Sequence, residues 1–280
     1  IQVGVGGWAE TFAGRIRDRR ESLGLYLEGQ IRLPNDRNEV ERFERDVRQA
    51  KEAGATVLRT VMLSGRRYET FQSLESFREF RRDREASLKL AEPVARRHRV
   101  QLAVENHKDW RVPELLEILR AISSEHVGVC VDTGNSISLL EEPHEVVEAY
   151  MPWAMTTHFK DMAVQEYEEG FLLAEVPLGK GFLDLRRILG TLRKTHPSIR
   201  LNLEMITRDP LKVPGLDPRY WATFPNLPGH HLAATLAMVR KHQTDRPLPR
   251  VTGLSPGERL AFEERNVRES FEFGREHLGL

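Results

Sequence analysis

Four residues in this chain have the types and the order to share a cation: Glu105, Asp132, His158 and Glu204. Each lies at the end of a short apolar stretch: QLAVEN (101–106), GVCVDTGNS (128–136), MTTHFK (155–160) and LNLEMI (201–206). A carboxylate at the tip of a buried strand is uncompensated unless it meets a cation or a set of donors. Three carboxylates and one imidazole make a mostly oxygen ligand set. That set favours Mn²⁺, Mg²⁺ or Co²⁺, admits Zn²⁺ or Fe²⁺, and leaves positions open for substrate oxygens. One divalent ion on two adjacent substrate oxygens would polarise a carbonyl, acidify the neighbouring C–H and stabilise an enediolate. Glu105 and Glu204 flank the Asp132–His158 pair in strand order, so one can take a proton and the other return it. Singly, each acid is more simply a helix cap or ion-pair member, and the histidine a core residue. Only the four together make a cation site.

Stepping down the strands shows what must hold them. Side chains alternate faces along a strand. Glu105 therefore shares a face with Ala103, Asp132 with Cys130, His158 with Thr156, and Glu204 with Asn202. If the strands are neighbours, the four tips form a ring in one register above those smaller residues, with room there for an ion and a ligand. The steps from Glu105 to Asp132 and from Asp132 to His158 each match one βα unit; the step to Glu204 is roughly 20 residues longer. The excess falls in 161–181, which reads as an inserted hairpin or lid ending in Gly179-Lys180-Gly181.

Three more strands read over 1–7, 25–33 and 56–63, making seven. Helices read over 12–22, 39–53, 74–98, 113–123, 143–150, 183–195 and 229–242, with a Pro- and aromatic-rich loop over 209–228. Prolines 247, 249 and 256 mark a linker before a terminal helix over 257–277. The expected fold is an α/β (β/α)8 TIM barrel over 1–244, followed by the linker and C-terminal helix over 245–280. An eight-stranded barrel closes well, so the missing first βα unit is expected upstream of Ile1.

Several further side chains are placed to touch a substrate. Lys160 shares the face of His158 and can hold an enolate oxygen, or reach out to the barrel mouth. His107 follows Glu105, Asn135 lies three past Asp132, and Arg208 lies four past Glu204. Trp8, Trp110 and Trp221 follow strand ends and should gather on the catalytic face, whereas Trp153 precedes its strand and should be core. Arg59 is expected to pair with Glu28 as a buried bridge. Arg66 and Arg67 are candidate phosphate ligands, without a glycine-rich cradle beside them.

Composition bounds the partners. At 280 residues the chain can bury a full barrel core. Its charged residues, 30% of the total, cancel to zero, which argues against nucleic acid or an anionic membrane as partner. The expected ligand is a small sugar or keto-sugar, and a homo-oligomer is an open expectation. The single cysteine excludes an internal disulfide and fits a reducing, cytoplasmic setting.

The order VENH, VDTGN, HFKD, LEMI resembles the xylose-isomerase-like barrels of the sugar phosphate isomerase/epimerase group. The resemblance runs from Ile1 to about His242. It implies one divalent ion held by Glu105, Asp132, His158 and Glu204, with the two glutamates as the acid/base pair. It also implies an isomerase or epimerase acting on a sugar or keto-sugar. Two departures stand out: Asn135 replaces a substrate-contacting histidine of the ketose 3-epimerases, and Lys180 stands where an acid is common. The alternatives are a dehydratase or lyase that begins with the same enolate, and a non-catalytic sugar-binding barrel. An endonuclease-IV-like phosphodiesterase needs additional strand-end histidines that the first three strands lack.

Overall fold

Parallel strands buried on both faces need helices outside them, and the chain supplies that alternation. The computed structural model describes residues 1–9 and 11–280. In order the elements are β1 (Gln2–Gly4), α1 (Phe12–Ser22), β2 (Glu28–Gln30), α2 (Val40–Glu52), β3 (Val57–Thr60), α3 (Arg67–Thr70) and α4 (Leu74–His98). Then come β4 (Gln101–Glu105), α5 (Val112–Ile122), β5 (Val127–Asp132), α6 (Pro143–Tyr150), β6 (Ala154–Phe159), β7 (Asp161–Tyr167) and β8 (Gly170–Val176). The chain finishes with α7 (Leu185–Thr195), β9 (Leu201–Leu203), β10 (Leu211–Val213), α8 (His230–His242) and α9 (Pro256–Phe273).

Seven strands form one parallel sheet in the order β1-β2-β3-β4-β5-β6-β9, nearly closed into a barrel. This is the TIM-barrel architecture expected, with seven strands among the described residues. β1 and β9 are its two edges. Between them lies an opening of about 460 Å³, bordered by Gln2, Gln30, His158, Glu204 and, from α9, Val267 and Phe271. The main core packs the helices against the sheet, with Leu58, Leu102, Val104, Val129 and Val131 fully buried. Gly128 keeps β5 close to the turn before β6: a Cβ there would lie 2.4 Å from the Trp153 carbonyl oxygen.

The hairpin expected over 161–181 is present as β7 and β8, and it gains a third strand. β10 pairs antiparallel with β8, within the segment read as loop. Prolines 210 and 214 bracket that three-residue strand and hide it. α8, expected as the last barrel helix, packs instead on β7 and β8. These elements bury a second apolar cluster around Phe171, Leu173, Val213, Tyr220 and Phe224. No described helix is long and apolar enough to cross a membrane.

Candidate metal centre and active site

The register shows how the strand tips meet. Asp132 lies level with His158, Glu105 level with Cys130, and His158 level with Asn202. The four tips are therefore not in one register, as the sequence suggested. They climb a stair, with Glu105 one side-chain step below the Asp132–His158 pair and Glu204 one step above. Tilted strands in a closing barrel produce this stagger. The long glutamate side chains at the two ends absorb it. One ligand atom from each of Glu105, Asp132, His158 and Glu204 lies within 4.8 Å of all the others, close to the roughly 4 Å that opposite ligands of one ion span.

Local structure aims each group. Asp132 Oδ1 accepts from the Gly134 and Asn135 amides at 2.9 and 2.8 Å. Its Oδ2 is left without a hydrogen-bond partner and faces Lys160 Nζ at 2.9 Å in ion-pair contact. Asn106 clamps the tip of β5, accepting from Asp132 N at 2.7 Å and donating to Asp132 O at 3.0 Å. Glu105 is fully buried and doubly tied: Arg59 Nε donates to Oε2 at 2.5 Å and Asn135 Nδ2 to Oε1 at 2.9 Å. Glu204 lies just past β9, more exposed than the other three, and pairs with Lys160.

His158 is oriented by Gln2, which sequence reasoning passed over, and Gln2 is held in turn by Glu28. Gln2 Nε2 donates to Glu28 Oε2 at 2.8 Å, so Gln2 Oε1 must face His158 Nε2, 2.7 Å away. Nε2 therefore carries the proton in neutral His158. Nδ1 is left without a hydrogen-bond partner, between Glu204 at 3.0 Å and Glu105 at 3.3 Å. Buried, unpartnered Nδ1 and Asp132 Oδ2 among three carboxylates make a donor set that fits one divalent ion. The space expected in the layer below is filled. The Glu28 carboxylate sits there, accepting from Thr156 Oγ1 at 2.8 Å and Asn202 Nδ2 at 3.1 Å.

Charge is unevenly distributed. Burial opposes ionisation of both His158 and Glu105, but Cys130 and Glu105 raise the imidazole well above its usual range, and that positive charge, with Arg59, holds the Glu105 carboxyl well below its own. Burial likewise opposes Glu204, and Lys160 with His158 holds it low. Asp132 is pushed up to about 6 by burial, against the pull of Lys160. Burial and the adjacent Lys108 push His107 down to about 3, so it is neutral at pH 7.

Around the ring the expected substrate contacts divide. Lys160 does not reach outward: it is 1% exposed and lies among Asp132, Glu204 and Glu175, the last at 3.4 Å. Asn135 joins Glu105 to Lys108, whose Nζ lies 2.5 Å from Asn135 Oδ1. His107 lies beside Lys108 at 3.4 Å. Arg208 reaches Glu175 at 2.7 Å. Lys108 and Glu175 complete this shell and were missed. The signals were adjacency to His107 in VENHKDW and alternation with Leu173 on β8.

Other expectations are corrected. Arg59 pairs with Glu105, not Glu28, because β3 lies between β2 and β4 and its side chain reaches the higher carboxylate. Arg67 is no phosphate ligand; it is buried against Glu114 at 2.7 Å and Thr223, under the Phe77 and Phe224 rings. Arg66 pairs with Glu69 at 2.6 Å. Of the tryptophans expected at the catalytic face, Trp110 turns into the core instead. Trp8 donates to Gly4 O and packs on Phe12, Trp110 is buried against Phe77 and Phe80, and Trp221 donates to Gly215 O. Trp153 packs on the core as expected.

Comparison with known proteins bears on the fold and the family. The chain is 32% identical over 121 residues to the 3-oxo-isoapionate decarboxylase of Pectobacterium atrosepticum, covering 42% of this chain. The match thus spans 44% of that relative's length. An L-ribulose 3-epimerase structure superposes with TM-score 0.58 at 16% identity, covering 96% of this chain and 86% of that one. A Mycobacterium smegmatis barrel in complex with magnesium superposes with TM-score 0.55 at 17% identity, covering 82% and 80%. At such identities the two structures speak for the fold alone. The family model of the xylose isomerase-like TIM barrel matches residues 12–223. With that match running from α1 through all the strands that carry the ring, the chain belongs to the xylose isomerase-like TIM-barrel family.

Proposed function

We propose that the chain is a divalent-metal-dependent lyase that decarboxylates a small 3-oxo sugar acid through an enediolate. The observation that carries this reading is the inequality of the two glutamates. Glu105 is fully buried with its oxygens held by Arg59 and Asn135, whereas Glu204, though paired with His158 and Lys160, is partly exposed and borders the side opening. A fixed Glu105 suits a ligand rather than a mobile base. Two-base epimerisation then loses one of its partners, and chemistry with a single proton-transfer group is favoured. Among such reactions, the partial likeness to a 3-oxo-isoapionate decarboxylase supports the lyase over aldose–ketose isomerisation.

A divalent ion held by Glu105, Asp132, His158 and Glu204 supplies positive charge against the oxygens of the developing enediolate. In the reaction, the bond from the carboxyl carbon to C2 breaks as carbon dioxide departs. Its electron pair forms the C2–C3 double bond and moves the carbonyl pair onto the C3 oxygen. A proton delivered to C2 completes a shorter keto-sugar, with no net oxidation. Lys160, buried among Glu204, Asp132 and Glu175, is placed to hold an enediolate oxygen. Glu204, paired with Lys160, is placed to pass the proton. Cys130 is a bystander: burial pushes its thiol up to about 11.

The test is product analysis of ¹³C-labelled 3-oxo sugar acids and of free ketoses, each with Mn²⁺, Mg²⁺ or Co²⁺. Labelled carbon dioxide with a keto-sugar one carbon shorter supports the reading. Epimerised or isomerised ketose without decarboxylation of any acid would overturn it and restore the isomerase expectation.

A further inference from the structure

Buried cations in this protein come with anions. Arg59 has Glu105, Arg67 has Glu114, and Lys160 has three carboxylates. Lys108 is the exception. It is 3% exposed, and among the described residues its Nζ meets only Asn135 Oδ1 at 2.5 Å and His107 Nε2 at 3.4 Å. Neither partner is a carboxylate. A buried ammonium with no anion in contact is disfavoured, so its place beside the ring asks for an anion from outside the chain.

We infer that Lys108 is the counter-ion of a carboxylate on the substrate, at a subsite that Lys108 shares with Asn135, His107 and Lys160. This rests on the enediolate reading above and adds the group that holds the acid.

Geometry places the subsite next to the chemistry. Asn135 Oδ1 takes both Lys108 and, at 3.4 Å, Lys160, while Asn135 Nδ2 reaches Glu105. A carboxylate at Lys108 is thus one side chain away from the ring. His107 Nδ1, buried and without a partner, can donate or accept there. The carboxylates nearby are already engaged: Glu105 by Arg59, Asp132 and Glu204 by Lys160, and Glu175 by Lys160 and Arg208. Burial and the like charge of Lys160 bring the Lys108 ammonium down to about 8, so it is still charged at pH 7. Arg67, which would suit a phosphate, is buried against Glu114, and Arg66 lies at the surface paired with Glu69.

The experiment uses the Mn²⁺-loaded full chain and a non-reacting pair of probes, the four-carbon acid threonate and its uncharged counterpart threitol. Calorimetric binding is compared in wild type and Lys108→Met, with thermal unfolding of each. Threonate affinity should fall about ten- to a hundred-fold in K108M, with threitol binding unchanged and the melting temperature unchanged or raised. A structural lysine would instead lower the melting temperature and spare the threonate preference. Equal threonate affinity in the two proteins, or no preference for threonate over threitol in the wild type, overturns the assignment. Loss of threonate binding in K108M without carbon dioxide release from any 3-oxo acid keeps the subsite and removes the decarboxylase reading. In turnover, K108M should raise KM far more than it lowers kcat.

Discussion

Removing the Gln2 amide should weaken the metal centre without touching a ligand. In Gln2→Leu, His158 Nε2 loses the acceptor now 2.7 Å away. An unmet hydrogen bond at a buried group costs about 1–3 kcal/mol. The imidazole also loses the contact that keeps its proton on Nε2 and its lone pair on Nδ1, toward the three carboxylates. The side opening bordered by Gln2 and His158 lets water replace part of the lost bond. The loss therefore belongs near the lower end, roughly 1.4 kcal/mol, or tenfold in Mn²⁺ affinity. Competition against a fluorescent chelator reads that affinity. ¹⁵N chemical shifts of His158 read the tautomer, and thermal unfolding checks the fold. An unchanged dissociation constant with an unchanged tautomer would refute the role given to Gln2.

Four other outcomes are expected. Glu204→Gln should abolish turnover while threonate still binds; a fully active variant would remove the proton-transfer role. Asp161→Ala should destabilise the protein by about 3 kcal/mol or more, because its carboxylate accepts from the amides of Met162, Gly179, Gly181 and Leu183; denaturant titration checks this. Arg67→Met should lower stability by several kcal/mol, since Glu114 and Thr223 lose a buried partner.

The fourth outcome concerns pH. Burial lowers the Lys108 ammonium from near 10.5 to about 8, a penalty of roughly 3 kcal/mol on its charged form. A depressed lysine is penalised in full below pH 8, and the penalty fades as pH rises toward the unfolded value. The stabilisation of K108M over wild type should therefore be larger at pH 6 than at pH 10. Substrate KM should rise above pH 8 in wild type only. Asp132, Glu175, Lys160 and Arg208 are the charged groups around Lys108 that shape this profile.

The ring was legible because strand alternation and βα spacing are short-range facts. Each tip residue announces itself at the end of its own apolar run, and seven strands plus a hairpin follow from the same periods. What stayed hidden depends on closure. Whether Arg59 turns to Glu28 or Glu105 is decided by strand stagger, which no single segment encodes. Gln2 reads as an ordinary strand polar residue, and Glu28 as a partner for Arg59, until β1, β2, β6 and β9 bring them to His158, Thr156 and Asn202. Lys108 is one residue in a polar loop, and only burial without an anion makes it conspicuous. Trp110 misled because following a strand end does not fix where a large ring packs: it turned into the α4 aromatic cluster.

The claim that everything else uses is that one divalent ion joins Glu105, Asp132, His158 and Glu204. Anomalous diffraction at the manganese edge, from crystals grown with Mn²⁺, tests it directly. A single strong peak within coordination distance of Glu105, Asp132, Glu204 and the Nδ1 of His158 is the predicted result. A well-ordered ring with no peak, or a peak held by other residues, would contradict it.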